Sequence, residues 1–451
     1  MTSLRTGLVL LLLLFNQVVL AGKANLLDFS LHKLESGTDG PTLLVIGGIQ
    51  GDEPGGFTAA SLLVTDYRIT HGNVWVVPNL NFLSIIKRSR GVYGDMNRKF
   101  LTLPKADPEY AAVEKIKSII LNEKVDIILN LHDGSGFYNP KYIDRLHNPK
   151  RWGQSIIIDQ ADIETQRFGK LAEIAERVSK IINGNIDNDK IHFYVKNTNT
   201  SQGDVEMEKT LTYFAIRNGK SAFGVEASKN FLTHQRALYH LLAVEAMMQE
   251  LGIKYERELP LTKQALKNRI DSNVKLALFD KKIILDVANA RNRLSYIPMK
   301  KDGQVHYTAS NPLIAVIGDK KSYKVRYGNR SVTQLQPQYF EFDDSLKSVT
   351  LWVDGEQKEV EFGDVIDVKQ HFKVAAPEEY RVNVIGFSKR GIKDESGILV
   401  TRKDIQNRYS VDRQSRKYRV EIYNGKKYCG MVLVNFVSET AGELSTEQSS
   451  G

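Results

Sequence analysis

Three short stretches place metal-binding and acid–base side chains where chemistry could be done. In GGIQGDEPGG, Gly47 to Gly56, Gln50 and Glu53 stand three residues apart in a Gly-rich turn directly after an apolar run. In LNLHDGSG, His132 ends a second apolar run and a small-residue loop follows. In FGVEAS, Glu226 ends a third, where an unpaired carboxylate is costly. A loop pair spaced i, i+3 with a later histidine at a strand end supplies three ligands and leaves a fourth position open, as in a catalytic metal site. A separate carboxylate beside it can act as general base toward an attacking water. Each residue alone has a structural explanation: a histidine after a strand usually serves as a hydrogen-bonded scaffold residue, and a strand-end glutamate as a satisfied acid. Their weight comes from coinciding with SRGVYGDMNRKF, Ser89 to Phe100, which gathers Arg90, Asp95, Asn97 and Arg98 in one loop. An arginine grips a carboxylate through two parallel hydrogen bonds and an asparagine adds neutral donors, so this loop suits a substrate ending in a carboxylate.

Such residues need strands that end together. Apolar runs at Thr42 to Ile49, Asn73 to Leu80, Val125 to His132, Gln154 to Asp159, His192 to Thr198 and Ser221 to Ser228 read as buried strands. Between them Pro108 to Lys124, Asp162 to Asn183 and Phe231 to Leu251 carry the 3.6-residue apolar period of helices. Continuous apolar strands alternating with helices imply an α/β sheet covered on both faces, with functional residues just beyond the strand C-termini. After about residue 256 the pattern changes. A short helix at Thr262 to Arg269 leads into brief β-rich runs separated by turns such as Asp354-Gly355 and Asn424-Gly425. This half is expected to be all-β, with two small domains divided near Asp343.

In the order ligand pair, Arg90, Asn97-Arg98, His132, Glu226, the chain resembles the zinc carboxypeptidase family, the carboxypeptidase A-like metallopeptidases, over roughly residues 40 to 255. The resemblance implies a three-layer α/β/α domain around a mixed, eight-stranded sheet, and one zinc ion (Zn2+) per chain. It implies Glu53 and His132 as zinc ligands with Gln50 at the first ligand position, and Glu226 as general base. It places Arg90 on the scissile carbonyl, and Asn97 and Arg98 on the terminal carboxylate. The family's first ligand is histidine, in an H-x-x-E motif; here it is Gln50. The glutamine is expected to bind through its side-chain oxygen, which leaves the formal charge of the site unchanged. Amide oxygen is a weaker donor than imidazole, so zinc should be held more loosely and remain a strong Lewis acid. The competing explanation is a dead site in a binding pseudoenzyme; against it, every other family position is filled.

Gln-x-x-Glu, an export signal and two trailing β domains together are similar to the cell-shape-determining murein D,L-carboxypeptidases of helical Gram-negative bacteria. That resemblance implies a last domain of immunoglobulin-like type. It also implies removal of terminal meso-diaminopimelate from the peptidoglycan stem tripeptide L-Ala-γ-D-Glu-meso-diaminopimelate, leaving a dipeptide. The expected organisation is a signal peptide over 1–21, a zinc carboxypeptidase catalytic domain over 22–255, a small β domain over 256–342 and an immunoglobulin-like domain over 343–440. GGIQGDE also resembles the GGxHGDE motif of acylaspartate and succinylglutamate deacylases and of murein amidases, which are alternatives on the same fold. A non-catalytic peptidoglycan-binding scaffold is a third.

Composition narrows the setting. The 451 residues include 62 Lys and Arg against 53 Asp and Glu, a net charge of +9, with 42% hydrophobic residues and one cysteine. That balance excludes a disordered chain, and a lone Cys429 excludes an intrachain disulfide framework or a Cys-rich zinc module. Arg5, the run GLVLLLLLF and Val19-Leu20-Ala21 read as the basic, apolar and cleavage regions of an export signal, which implies the periplasm. No later run approaches the about 20 apolar residues of a membrane span. Export and the lack of aromatic-basic interleaving argue against nucleic acid as a partner, so none is expected. Between Arg381 and Gly430 there are 13 Lys and Arg against 5 Asp and Glu, so the basic surplus belongs to the last domain. It is expected to dock on an acidic envelope component such as murein stems through Arg416, Lys417, Lys426 and Lys427, and the β domains are candidates for contact with envelope proteins. Cys429 is expected to be a buried thiol and Trp152 a core residue, with a place in the pocket lining as its alternative; Thr212 and Tyr213 are candidates to stand near the substrate, with a plain helix surface as theirs.

Overall fold

The computed structural model describes residues 19–21, 26–272, 274–301, 305–319 and 321–437. The expected signal peptide lies outside the described residues except for Val19–Ala21, which pairs antiparallel with Val305–Ala309. No helix among the described residues is long and apolar enough to cross a membrane.

All six apolar runs read as strands form them. With one edge strand they give β1 (His32–Glu35), β2 (Thr42–Gly47), β3 (Asn73–Val77), β4 (Ile127–Gly134), β5 (Ser155–Ile158), β6 (Tyr194–Asn197) and β7 (Ser221–Ser228). They make one sheet in the order β6-β5-β7-β4-β2-β3-β1. The four central strands β7, β4, β2 and β3 run parallel, while β5 against β7 and β1 against β3 are antiparallel. The sheet is therefore mixed, but among the described residues it has seven strands rather than the expected eight. Tyr67–His71 hydrogen-bonds to Lys254–Arg257 instead of joining it, and forms a separate ribbon.

Among the described residues seven α-helices occur: α1 (Pro54–Asp66), α2 (Phe82–Lys87), α3 (Tyr110–Ile120), α4 (Leu171–Asn183), α5 (Leu211–Arg217), α6 (Thr233–Leu251) and α7 (Lys263–Asp271). Helices α1, α4 and α6 pack on one another against one face of the sheet. Helices α3 and α5, joined by Lys117 over the Phe214 ring at 5.3 Å, cover the other. β2 and β4 are buried along their whole length, which is why they read as unbroken apolar runs. The helix read from Asp162 begins only at Leu171. The chain turns back through Phe168 (φ 61°), and the Ile163 N–H reaches the Gly169 carbonyl at 2.9 Å. Ile163 and Phe168 still pack on the core, which gave this loop a helical apolar pattern.

The rest is all-β, as expected. Lys275–Leu278, Ile283–Asp286 and Val305–Ala309 form one sheet, and Arg293–Lys300, Ile314–Asp319, Ser322–Tyr327 and Arg330–Phe340 a second. The last domain is an immunoglobulin-like sandwich. One sheet holds Ser348–Val353, Glu356–Glu361, His371–Ala375 and Leu399–Thr401, the other Val365–Val368, Tyr380–Val384, Lys417–Asn424 and Lys427–Phe436. The sandwich has its own apolar core, which includes the buried free thiol of Cys429. A single larger core spans the α/β domain and the middle sheets and takes in Tyr428, Met431 and Leu433 from the sandwich. The basic surplus is partly consumed at this junction. Lys417, expected to face an envelope component, is instead ion-paired with Asp286 of the middle sheets.

Candidate active site

The site is assembled by strand pairing. β2 and β4 are parallel neighbours with Gly47 opposite Leu131, so the turns leaving their C-terminal ends face each other. β4 also pairs with β7, which sets Glu226 directly opposite His132. The turn after β2 must be glycine-rich. Gly48 has φ +76°, and a Cβ on Gly51 would lie 2.0 Å from the Ser84 carbonyl carbon of α2.

In that turn and at that strand end, three buried side chains converge. His132 Nδ1 is 3.2 Å from Gln50 Oε1 and 3.0 Å from Glu53 Oε2. The orientation of the Gln50 amide is forced: its Nε2 donates to both oxygens of Asp95, at 2.8 and 2.9 Å. A carboxylate can only accept, so Oε1 must face His132. One imidazole nitrogen, with at most one proton, is thus crowded by two acceptor oxygens. A cation between the three resolves that conflict, and amide oxygen, carboxylate oxygen and imidazole nitrogen form a donor set that suits zinc. Among the described residues no group of three His, Cys, Asp or Glu could hold a metal, so this donor set depends on the amide.

Electrostatics follow from burial. Burial alone would lower the His132 imidazole, but the hydrogen bond and charge of Glu53 outweigh it and hold it above its ordinary value. Burial pushes Glu226 up to about 8, with Glu53 and Asp133 adding to it against the opposing pull of His132. Its Oε2 is buried without a hydrogen-bond partner. These directions hold before any metal charge is counted.

Beneath the three, Asp133 ties the layers together. It accepts from the Gly55 N–H at 2.9 Å, from Arg236 Nη1 at 3.0 Å and from His240 Nε2 at 3.1 Å. Its own N–H donates to Glu53 Oε2 at 3.1 Å. Burial would raise the Asp133 carboxyl, but His240, Arg236 and the Gly55 N–H together hold it below its ordinary value.

The basic loop after α2 closes one side. A 3₁₀ turn, Met96–Arg98, is capped by Asp95, which accepts from the Asn97 N–H at 3.0 Å. Arg90 is half-exposed, with Nε 2.9 Å from Asp95 Oδ2 and Nη1 3.5 Å from Glu53 Oε1. Asn97 Oδ1 accepts from the Leu211 N–H at 3.0 Å, which leaves its NH2 group as the donor available to a ligand. Arg98 donates from Nη1 to the Asn97 carbonyl at 2.9 Å and lies 3.6 Å from Glu206.

Gln50, Glu53, Arg90, Asn97, Arg98, His132 and Glu226 all line one cavity of about 320 Å³. A larger hollow of about 1180 Å³ beside α6, lined by Ile181, Leu242 and Tyr255, contains none of them. Among the other residues that line the smaller cavity, three bear on the sequence reading. Thr212 is one of the two expected candidates; Tyr213, the other, is buried in α5. Trp152 corrects the expectation of a core residue. The loop after β4 doubles back, with the Trp152 N–H on the Ser135 carbonyl at 3.1 Å, and sets the ring at the cavity with Lys196 above it at 4.3 Å. Lys229 was not anticipated. Its Nζ is 3.2 Å from Glu53 Oε1, and only its place three residues beyond Glu226 could have signalled it.

Known proteins give the same outline. Residues 6–271 match the family described as carboxypeptidase controlling helical cell shape, catalytic, and residues 342–437 match the C-terminal domain of metallo-carboxypeptidase. The apo structure of the cell shape determinant protein Csd4 from Helicobacter pylori is 38% identical. It superposes with a TM-score of 0.82 over 91% of this chain and 100% of that one. A tripeptide-bound structure of the same protein gives the same values of 38% and 0.82, over 91% and 100%. An mDAP-bound form, described as a D,L-carboxypeptidase, is 39% identical with a TM-score of 0.81 over 88% of this chain and 97% of that one. No match was found among curated proteins.

Proposed function

Because this chain belongs to the family of carboxypeptidases controlling helical cell shape, we propose that it is a periplasmic, zinc-dependent D,L-carboxypeptidase, with one zinc per chain. It trims the peptidoglycan stem tripeptide to a dipeptide by releasing terminal meso-diaminopimelate, and so influences cell shape. Within this proposal the signal occupies 1–21 and the catalytic domain 22–255, followed by β domains over 256–342 and 343–440. The observation that carries it is one cavity holding both a three-donor metal set and an Asn-Arg pair suited to a terminal carboxylate. A solved relative described as a D,L-carboxypeptidase with mDAP bound supports the substrate.

Gln50, Glu53 and His132 would hold the zinc, which supplies Lewis acidity toward water and the scissile carbonyl. Asn97 and Arg98 hold the terminal carboxylate, which makes the enzyme an exopeptidase. Glu226 takes the proton from the water that attacks the carbonyl carbon. The Arg90 guanidinium donates to the carbonyl oxygen as negative charge develops there. The C–N bond breaks with its electron pair on nitrogen, and Glu226 returns the proton to the leaving amine. Free meso-diaminopimelate and the dipeptide carboxylate result.

The test incubates purified muropeptide tripeptide and tetrapeptide with the enzyme, with and without chelator, and separates the products. Dipeptide and meso-diaminopimelate should appear from tripeptide, stop with chelator and return with zinc. Cleavage at the sugar–peptide amide, or activity indifferent to chelator, would sink the proposal.

A further inference from the structure

Where the sandwich meets the middle sheets, two hollows of about 490 and 210 Å³ adjoin. Tyr296, Arg408 and Tyr409 line both, so the two form one groove with these side chains at its waist. Arg381 and Tyr423 lie at one end and Arg293 at the other.

The groove is built on a buried charge pair. Arg419 and Glu421 lie 2.9 Å apart and almost wholly inside the protein. The same guanidinium donates to the carbonyls of Tyr296 and Ser295 at 2.9 and 2.8 Å, across the junction. Those bonds hold Tyr296 at φ +58°, a conformation rare for a bulky side chain, at a bulge in its strand. The ring consequently stands 57% exposed beside the groove. Arg381 lies over the Tyr423 ring at 4.6 Å and Arg408 over the Tyr409 ring at 4.9 Å. Arg419 and Lys417 have acidic partners, whereas among the described residues no carboxylate lies within ion-pair distance of Arg293, Arg381 or Arg408. Glu421 also lines the groove, and it and Glu395 feel the charge of Arg381, but four guanidinium groups, those of Arg293, Arg381, Arg408 and Arg419, outnumber the one lining carboxylate. Guanidinium groups in excess, set among tyrosine rings, suit a ligand that offers several carboxylates on a partly apolar chain.

We propose, resting on the peptidoglycan reading of the active site, that this groove is a second binding site, one that holds carboxylate-bearing stem peptides of the polymeric wall while the active site works on a neighbouring stem. Guanidinium forks take the stem carboxylates and the tyrosine rings cover the peptide between them. The acidic wall component expected for the last domain thus meets this junction rather than Arg416, Lys417, Lys426 and Lys427.

The test compares sedimentation of the full chain with purified sacculi and with glycan strands stripped of their stems. Two variants are used: Arg293→Gln/Arg381→Gln/Arg408→Gln, and Tyr296→Gly, in which glycine suits the backbone and protects folding. Wild type should sediment with sacculi and not with stripped strands. Both variants should bind sacculi about tenfold more weakly, with a flatter salt dependence for the arginine variant, while cleaving soluble tripeptide at the wild-type rate. Unchanged binding by both variants, or equal binding of wild type to stripped strands, overturns the second site. Failure of wild type to cleave soluble tripeptide would instead overturn the active-site reading.

Discussion

At the scale of residues, Asp95 decides which end of the Gln50 amide faces His132, and so whether the proposed glutamine ligand can serve. An amide has two chemically different ends, and only the contact of Gln50 Nε2 with the Asp95 carboxylate turns Oε1 toward His132. In Asp95→Asn the partner can donate as well as accept, and the amide loses its fixed sense. Zinc affinity should fall by about 10- to 100-fold in a competition titration against a chelator, as for other residues that orient metal ligands. The metal-free protein should keep its melting temperature. Unaltered zinc affinity would mean that Gln50 is oriented by something else. Glu226 calls for the opposite pattern. Glu226→Ala should abolish tripeptide turnover and leave the zinc content near one equivalent, because it faces the donor set without belonging to it; turnover near the wild-type rate would remove it as the base. The seven candidate residues were legible because their types and order in the chain carry the chemistry. The role of Asp95, the approach of Lys229 and the exposure of Trp152 were not, since each depends on where a loop folds back.

At the scale of elements, the site is only as exact as the turn between β2 and α1. Gly51 packs so closely on the Ser84 carbonyl that a methyl group must push the turn or α2 aside. Gln50 and Glu53 flank that position, so Gly51→Ala should impair zinc binding and activity together and destabilise the fold by roughly 2–4 kcal/mol, in the range of overpacked or strained sites. Chemical denaturation and metal titration of the same sample check both; full activity at wild-type stability would show that the turn has slack. Asp133 works from below. Removing one member of a buried, charged network leaves the others unpaired, at about 3–5 kcal/mol, so Asp133→Ala should be among the most damaging changes in the cavity wall. The strands around this turn were readable because burial on both faces makes them continuously apolar. The Glu356–Glu361 strand was not, because it is an edge strand with nearly every side chain in solvent and no alternation to find. Asp162 to Lys170 misled for the converse reason: a loop that buries Ile163 and Phe168 imitates a helix.

At the scale of the molecule, the junction of middle sheets and sandwich is bonded like an interior, not like a hinge. Tyr428 of the sandwich is fully buried among Phe342 and Tyr423, with ring centroids 5.0 and 5.6 Å away, and donates from its hydroxyl to the Lys282 carbonyl at 3.0 Å. Lys282 Nζ returns across the same junction to the carbonyls of Asp343 and Cys429, at 2.7 and 2.5 Å, and pairs with Asp344 at 3.0 Å. None of this was visible in the sequence, where net charge marked the last domain as basic without saying which basic groups are spent on its neighbour. Separate domains joined by a flexible tether would melt independently. A junction this apolar and crossed by this many hydrogen bonds should instead make the middle sheets and the sandwich unfold in one calorimetric transition. Tyr428→Ala leaves a large cavity, removes one of the two hydrogen bonds that the Lys282 carbonyl accepts, and should destabilise that transition by about 3–5 kcal/mol. The same variant should weaken sacculus binding, since the groove floor shares Tyr423 with this cluster, while leaving soluble tripeptide turnover intact. Two resolved transitions in the wild type, with the variant shifting only the one that belongs to the sandwich, would mean that the two β domains move independently and that the groove between them is not preformed.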